Sequence, residues 1–282
     1  MQLVLISGLS GSGKSIALRA LEDAGHYCVD NLPATLLPPL VRQLREEGYE
    51  RVAVAIDVRA GASIAALPQQ LRDLQAMGVP TRFVFLEARE ETLIARFSET
   101  RRGHPLSNED TTLAEAIVRE RAMLENVAGL GNRIDTSSLN PNALRNWILD
   151  FVQPAVSPGL TLQFESFGYK HGIPLDADLV FDVRCLPNPH YDPVLRPLTG
   201  RDAEVARFLE AQGEVRKMAE DIRRFLDEWL PSYVRDNRSY LTVAIGCTGG
   251  QHRSVFLSEA LARRFADRGA TLVRHRELDA RE

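Results

Sequence analysis

Gly8-Leu9-Ser10-Gly11-Ser12-Gly13-Lys14-Ser15 decides how this sequence reads. It fits the spacing GxxxxGK[ST], and its flanks fit as well. The apolar run QLVLIS (2–7) enters it, and a helical pattern over 14–24 leaves it. Glycines let backbone N–H groups curl around phosphate oxygens without Cβ clashes. The helix that follows adds the positive end of its dipole. Lys14 then supplies a point charge to the β- and γ-phosphates, and Ser15 a hydroxyl ligand to Mg²⁺. Lys14 and Ser15 are the first two catalytic candidates. Asp57 is the third, because it ends the run RVAVAID (51–57), where an acidic group can hold Mg²⁺ through water. Asp30, at the end of YCVD (27–30), competes for that role. Arg101 and Arg102 follow a helical stretch and are placed to clamp a transferred phosphate, or they are a solvated helix end.

Working outward, short apolar runs alternate with helical patterns. TRFVFLE (81–87) and the weaker NRIDT (132–136) join the strands already named. Helical patterns fall at 34–47, 63–77, 90–100, 111–128 and 141–152. Unalternated β-branched runs separated by helices predict a parallel sheet covered on both faces. The fold class is therefore α/β: a P-loop NTPase parallel-sheet domain over 1–154, followed by a smaller α/β domain over 155–282. The boundary falls in Gln153-Pro154-Ala155-Val156-Ser157-Pro158-Gly159, whose prolines and glycine suit a linker. The second half predicts strands LTLQFES (160–166), DLVFDVR (178–184), YLTVAIG (240–246) and TLVRHREL (271–278), with a helix over 254–268. In a longer helix, Val215, Met218, Ala219, Ile222, Phe225, Leu226 and Trp229 recur at three- and four-residue steps and read as core.

Composition limits the function classes. The chain has 282 residues, nearly twice the ~150-residue domain prior, so two domains are the default. The net charge is −4, and neither half is basic enough for a generic polyanion binder. No stretch of ~18 apolar residues predicts a membrane span, and the N-terminus reads as a strand rather than a leader. Cys28, Cys185 and Cys247 are few, odd in number and far apart, so neither a disulfide framework nor a zinc site is expected. A cytoplasmic protein is the expectation. The only lysines are Lys14, Lys170 and Lys217 in an otherwise arginine-using chain.

A second loop repeats the physics of the first. Cys247-Thr248-Gly249-Gly250-Gln251-His252-Arg253-Ser254 lies between a predicted strand and a predicted helix. The glycine pair allows close backbone approach, the helix start favours an anion, and Arg253 can grip one bidentately. The loop also fits C-x5-R-[ST], the pattern of cysteine-dependent phosphatases, although Gly246 stands where a histidine is usual. Asp192 is a conceivable general acid there. Lys170, Arg184, His190 and Arg253 are placed to converge on one phosphorylated ligand, and a structural turn is the bland alternative.

GLSGSGKS, CVDNLP, the block SFGYKHGIPLDADLVFDVRCLPNPHYDPVLRPLTG and AIGCTGGQHRS together resemble the RapZ/YvcJ family of bacterial P-loop nucleotide-binding proteins. The resemblance spans the chain from first strand to last helix. It implies ATP and GTP binding with Mg²⁺ and slow hydrolysis at Gly8 to Ser15. It also implies a guanine-nucleotide segment at Asp57-Val58-Arg59-Ala60. Members of the RNase-adapter branch sense glucosamine-6-phosphate in the C-terminal domain and present a small RNA to an endoribonuclease, working as homo-oligomers. That carries the phosphosugar role to positions around His190 and to the loop Cys247, Thr248, Gly249, Gly250, Gln251, His252, Arg253 and Ser254, beside the anion-binding candidates Lys170 and Arg184 read from the residues themselves. It carries RNA binding to Arg274, His275, Arg276 and Arg281. The branch ends in a strongly basic tail, whereas here Glu277, Asp279 and Glu282 nearly balance the terminal arginines.

Three functions follow as expectations. The first is a regulatory nucleotide-binding protein with weak ATPase and GTPase activity and a phosphometabolite sensor. The second is a small-molecule P-loop kinase. The third is a phosphatase using Cys247.

Overall fold

The computed structural model describes residues 1–108, 110–152, 160–235 and 240–279. The chain divides into two compact units, Met1–Gln153 and Pro154–Glu282. The linker expected at 153–159 lies outside the described residues.

Unit 1 is built on five parallel strands: β1 (Gln2–Gly8), β2 (Tyr27–Val29), β3 (Arg51–Ala55), β4 (Thr81–Glu87) and β5 (Asn132–Asp135). Their spatial order is β2-β3-β1-β4-β5, so the strand leading into the glycine loop is central. Leu3, Val4, Leu5 and Ile6 are wholly buried, as a strand covered on both faces requires. Each such side chain contributes roughly 1.5–3 kcal/mol by leaving water. The helices are α1 (Lys14–Asp23), α2 (Leu37–Glu46), α3 (Leu67–Ala76), α4 (Glu90–Thr100), α5 (Leu113–Ala128) and α6 (Pro141–Val152). α5 starts on a capping box. Thr112 Oγ1 accepts from the Glu115 N–H at 3.3 Å, and Glu115 Oε2 accepts from the Thr112 N–H at 2.8 Å.

Two expected elements change shape here. The strand over 51–57 stops at Ala55: the Ile56 N–H makes the last bond of the ladder, to the Ile6 carbonyl, and Asp57 then caps a 3₁₀ turn over Val58–Ala66. The helices over 34–47 and 63–77 each begin with a 3₁₀ segment before a proline near their first α turn.

Unit 2 carries four parallel strands, β6 (Thr161–Gly168), β7 (Leu179–Asp182), β8 (Tyr240–Cys247) and β9 (Thr271–His275), in the order β7-β8-β6-β9. α7 (Ala203–Ala211), α8 (Gly213–Arg235) and α9 (Arg253–Phe265) accompany them, with a last turn α10 (Arg276–Asp279). The expected strand 271–278 ends at His275, whose N–H is taken by the Asp279 carboxylate at 3.1 Å; that bond closes a helical turn. On α8, Val215, Ala219, Ile222 and Leu226 are buried, but Phe225 and Trp229 are 39% and 47% exposed. Both stand on the flank of the stripe, where Phe225 packs edge-on against Phe181 with centroids 5.7 Å apart. The expectation that they belong to the core is therefore corrected.

Candidate functional site

The glycine loop is formed by backbone conformations that only glycine holds cheaply. Gly13 takes φ 107° at the start of α1, and no side chain caps that helix or puts an acid in its first turn. Its first amides are thus left for an external anion. Lys14 folds back into the loop, donating to the Gly8 carbonyl at 2.8 Å and the Leu9 carbonyl at 3.0 Å. Burial pulls its pKa below the ordinary lysine value, against the pull of Asp57 and Glu120. A polyphosphate entering the loop would add negative charge to that of Asp57 beside this buried ammonium. Ser15 is exposed one residue on, and the buried Ser12 Oγ has no partner. These features fit a Mg-nucleotide.

Asp57 lies 3.7 Å from Lys14 Nζ, beside the loop, although it caps a turn instead of ending a strand. Its carboxylate holds Arg59 through Nε at 3.1 Å and Nη2 at 2.6 Å. Burial raises its pKa, but the bonds to Arg59 and the charge of Lys14 outweigh that and hold it below the usual carboxylate range. Val58 is buried and Ala60 is half-buried in the same turn. Asp30 is exposed and close enough to act on the charges of Lys14 and Arg59. Arg101 and Arg102 are both exposed at the end of α4.

Sequence reasoning missed the groups that brace this loop. Glu120, wholly buried, accepts from the Ser10 N–H at 2.9 Å and its hydroxyl at 2.8 Å, and His104 Nε2 lies 3.1 Å from the same carboxylate. Arg96 donates to the Gly11 carbonyl at 3.1 Å and the Thr136 carbonyl at 2.7 Å, while the Thr136 hydroxyl donates to Ser12 at 3.0 Å. The one available signal was Glu120 itself, an acid set between Ile117 and Leu124 on the apolar face of α5.

The second loop has the same plan. It follows β8 and opens α9, which also has neither a side-chain cap nor an acid in its first turn. Gly250 takes φ 72°, and a Cβ there would overlap the Glu277 carboxylate. Burial pushes the pKa of that carboxyl up. Gly249 faces open space, and Gln251 accepts from the Gly200 N–H at 2.8 Å. His252 is buried, and burial lowers its pKa. Arg253 is 4% exposed, with Nη1 on the carbonyls of Arg184 at 2.8 Å and Leu186 at 3.0 Å. Cys247 Sγ accepts from the Gly250 N–H at 3.2 Å and lies 3.2 Å from Ser254 Oγ.

Lys170, Arg184 and His190 gather around this loop. The Lys170 N–H donates to the Thr248 carbonyl at 3.3 Å. Arg184 lies over the Tyr169 ring at 3.9 Å, and the His190 ring is 6.4 Å from that of His252. All three side chains are exposed. Asp192 is also exposed and accepts from the Val194 N–H at 2.8 Å. The two loops share a further detail. Each follows a strand whose parallel neighbour leads to an Asp-Val-Arg turn, Asp57-Val58-Arg59 or Asp182-Val183-Arg184, with the same carboxylate–guanidinium pairing.

The terminal RNA positions fare differently. His275 is wholly buried, with Nδ1 2.8 Å from Ser166 Oγ and Nε2 3.1 Å from Glu259. Arg276 is buried and donates to the Gly172 carbonyl at 3.2 Å. Both are buried in this fold, away from solvent. Arg274 is half-buried, and Arg281 lies outside the described residues.

A model of the RapZ-like N-terminal domain matches residues 1–154, and a model of the RapZ C-terminal domain matches residues 160–279. The chain belongs to the RapZ family. Within that family, a nucleotide-binding protein of Azoarcus sp. (strain BH72) is 68% identical over 276 residues, covering 98% of this chain and 94% of that protein. A nucleotide-binding protein of Nitrosomonas europaea is 62% identical, covering 99% of this chain and 96% of its own length. A solved sugar kinase from Janibacter sp. HTCC2649 overlaps 54% of this RapZ-family chain and 94% of its own, with a TM-score of 0.37 and 19% identity, a likeness too distant to carry an inference. Among the described residues, no helix is long and apolar enough to cross a membrane.

Proposed function

We propose that this chain is a cytoplasmic nucleotide-binding regulatory protein, with slow ATPase and GTPase activity in unit 1 and a phosphosugar sensor in unit 2. The observation that carries the first half is Lys14, buried in the glycine loop and donating to two loop carbonyls, at the start of a helix with no side-chain cap and no acid in its first turn. On nucleotide entry, Lys14 exchanges its two carbonyls for phosphate oxygens. Ser15 would hold Mg²⁺, with Asp57 placed to orient its water shell. A bound Mg²⁺ neutralises charge on the β- and γ-phosphates.

The second half rests on the Cys247–Ser254 loop, ringed by Lys170, Arg184 and His190. A phosphorylated amino sugar such as glucosamine-6-phosphate would place its phosphate on the α9 amides and its sugar toward the exposed rim. Adapter work, in which a homo-oligomer presents a small RNA to an endoribonuclease, extends this reading on the strength of the motif blocks' resemblance alone. His275 and Arg276 are buried in the fold, so on this reading RNA would meet other, exposed groups.

The test is γ-labelled ATP or GTP with Mg²⁺ and the full chain. Slow release of label to water, reduced at least tenfold by Lys14→Ala, is the expected result. Transfer of label to an added sugar would establish a kinase in its place.

A further inference from the structure

The sensor reading uses the amides and the arginine of the second loop but leaves its sulfur idle. Cys247 closes β8 at 3% exposure, and Arg253 opens α9 at 4%. The Arg253 Nη1 group is fully engaged with two carbonyls. Its other edge is not: Nε has no partner, and Nη2 reaches only the Thr248 hydroxyl at 3.4 Å. The Nε–Nη2 edge is the one with which Arg184 holds both oxygens of Asp182, Nε to Oδ1 at 3.0 Å and Nη2 to Oδ2 at 2.6 Å. In Arg253 the same edge is buried, with Nε unpartnered and Nη2 turned toward Thr248 of the loop. Two parallel donors at that spacing suit a phosphoryl group.

The sulfur lies among donors, with the Gly250 N–H and the Ser254 hydroxyl each 3.2 Å away. Burial pushes the Cys247 thiol up, but hydrogen bonds from Ser254 and Gly250 and the nearby Arg253 charge outweigh burial and hold it below the ordinary thiol value. Cys28, half-buried near Glu22 and without such donors, is pushed up to about 11. A thiolate is the nucleophilic form of cysteine. The usual histidine before such a cysteine has no room here, because a side chain at Gly246 would overlap Phe167 and Tyr169. Thiolate stabilisation falls to Ser254 and the loop amides instead.

We propose that the Cys247 loop hydrolyses a phosphate monoester through a phosphocysteine, at the same anion site assigned above to the phosphosugar and resting on that assignment. Cys247 Sγ attacks phosphorus; the S–P bond forms as the ester P–O bond breaks. The departing alcohol oxygen takes a proton from His190 at the rim or from water. The Arg253 edge and the α9 amides hold the three phosphoryl oxygens through the transfer. Water then attacks phosphorus and gives up a proton, the S–P bond breaks, and inorganic phosphate and the thiolate return. No oxidant, reductant or metal enters the balance.

The test uses the full chain, p-nitrophenyl phosphate and EDTA, which silences Mg²⁺-dependent hydrolysis at the first loop. The expected result is p-nitrophenol release that Cys247→Ser lowers at least a hundredfold, while calorimetry shows inorganic phosphate still binding the variant. Acid-quenched wild type should carry one phosphoryl group on the Cys247 peptide, a readout that does not depend on the variant folding. Binding of inorganic phosphate without release or phosphocysteine would overturn the covalent step and leave the sensor reading standing. Release undiminished by Cys247→Ser would overturn it too. Absence of both binding and release would overturn the assignment of the site itself.

Discussion

At the scale of single residues, the glycine loop is held by groups that lie far from it in sequence. Glu120 ties the Ser10 amide and hydroxyl to His104, so it braces the phosphate loop from beneath. Removing that carboxylate leaves two buried donors of Ser10 unsatisfied. Each orphaned group costs about 1–3 kcal/mol. Glu120→Ala should therefore lower the urea midpoint of unit 1 and weaken nucleotide affinity together, as read by unfolding and by nucleotide titration. An unchanged midpoint would show that the brace contributes nothing. Lys14 and Ser15 were legible in the sequence because eight consecutive residues carry their chemistry. Glu120 was not, because it meets Ser10 only after 110 residues of chain have folded back.

At the scale of elements, strand identity was more legible than strand ends. β9 was expected to run three residues further, and what stops it is the buried string Ser166–His275–Glu259 with Asp279 on the His275 amide. No local pattern announces such a string. The α8 stripe shows the same limit, since three- and four-residue steps place Phe225 and Trp229 near the core face without saying how far the sheet reaches. His275 also makes β9 sensitive to acid. Burial holds its pKa below the ordinary histidine value, against the hydrogen bond to Glu259, with Arg201 lowering it further. The unfolded chain thus binds this proton more readily than the folded one. The stability is complete above the ordinary histidine range and is lost as pH falls through the folded value. Thermal midpoints of unit 2 should drop between about pH 7 and pH 5, and His275→Asn should make that drop shallower. Parallel slopes for the two proteins would contradict this.

At the scale of the whole molecule, two parallel-sheet units each place an anion loop at the carboxyl end of a strand, the usual ligand position in open α/β sheets. The division into an α/β nucleotide unit and a smaller α/β unit was readable from alternating strand and helix patterns. The resemblance in motif blocks agrees with the family that the domain models establish. The Asp-Val-Arg turn beside each loop was not readable, because three residues are too few to register as a repeat until the sheets align them. Separate loops on separate units imply separable ligands. The most direct test is calorimetry of the full chain with glucosamine-6-phosphate, run beside Arg253→Ala and Lys14→Ala. The account predicts one saturable site, weakened at least tenfold by Arg253→Ala, the scale of a lost charged hydrogen bond, and unmoved by Lys14→Ala. Equal affinity in Arg253→Ala, or a loss confined to Lys14→Ala, would contradict it.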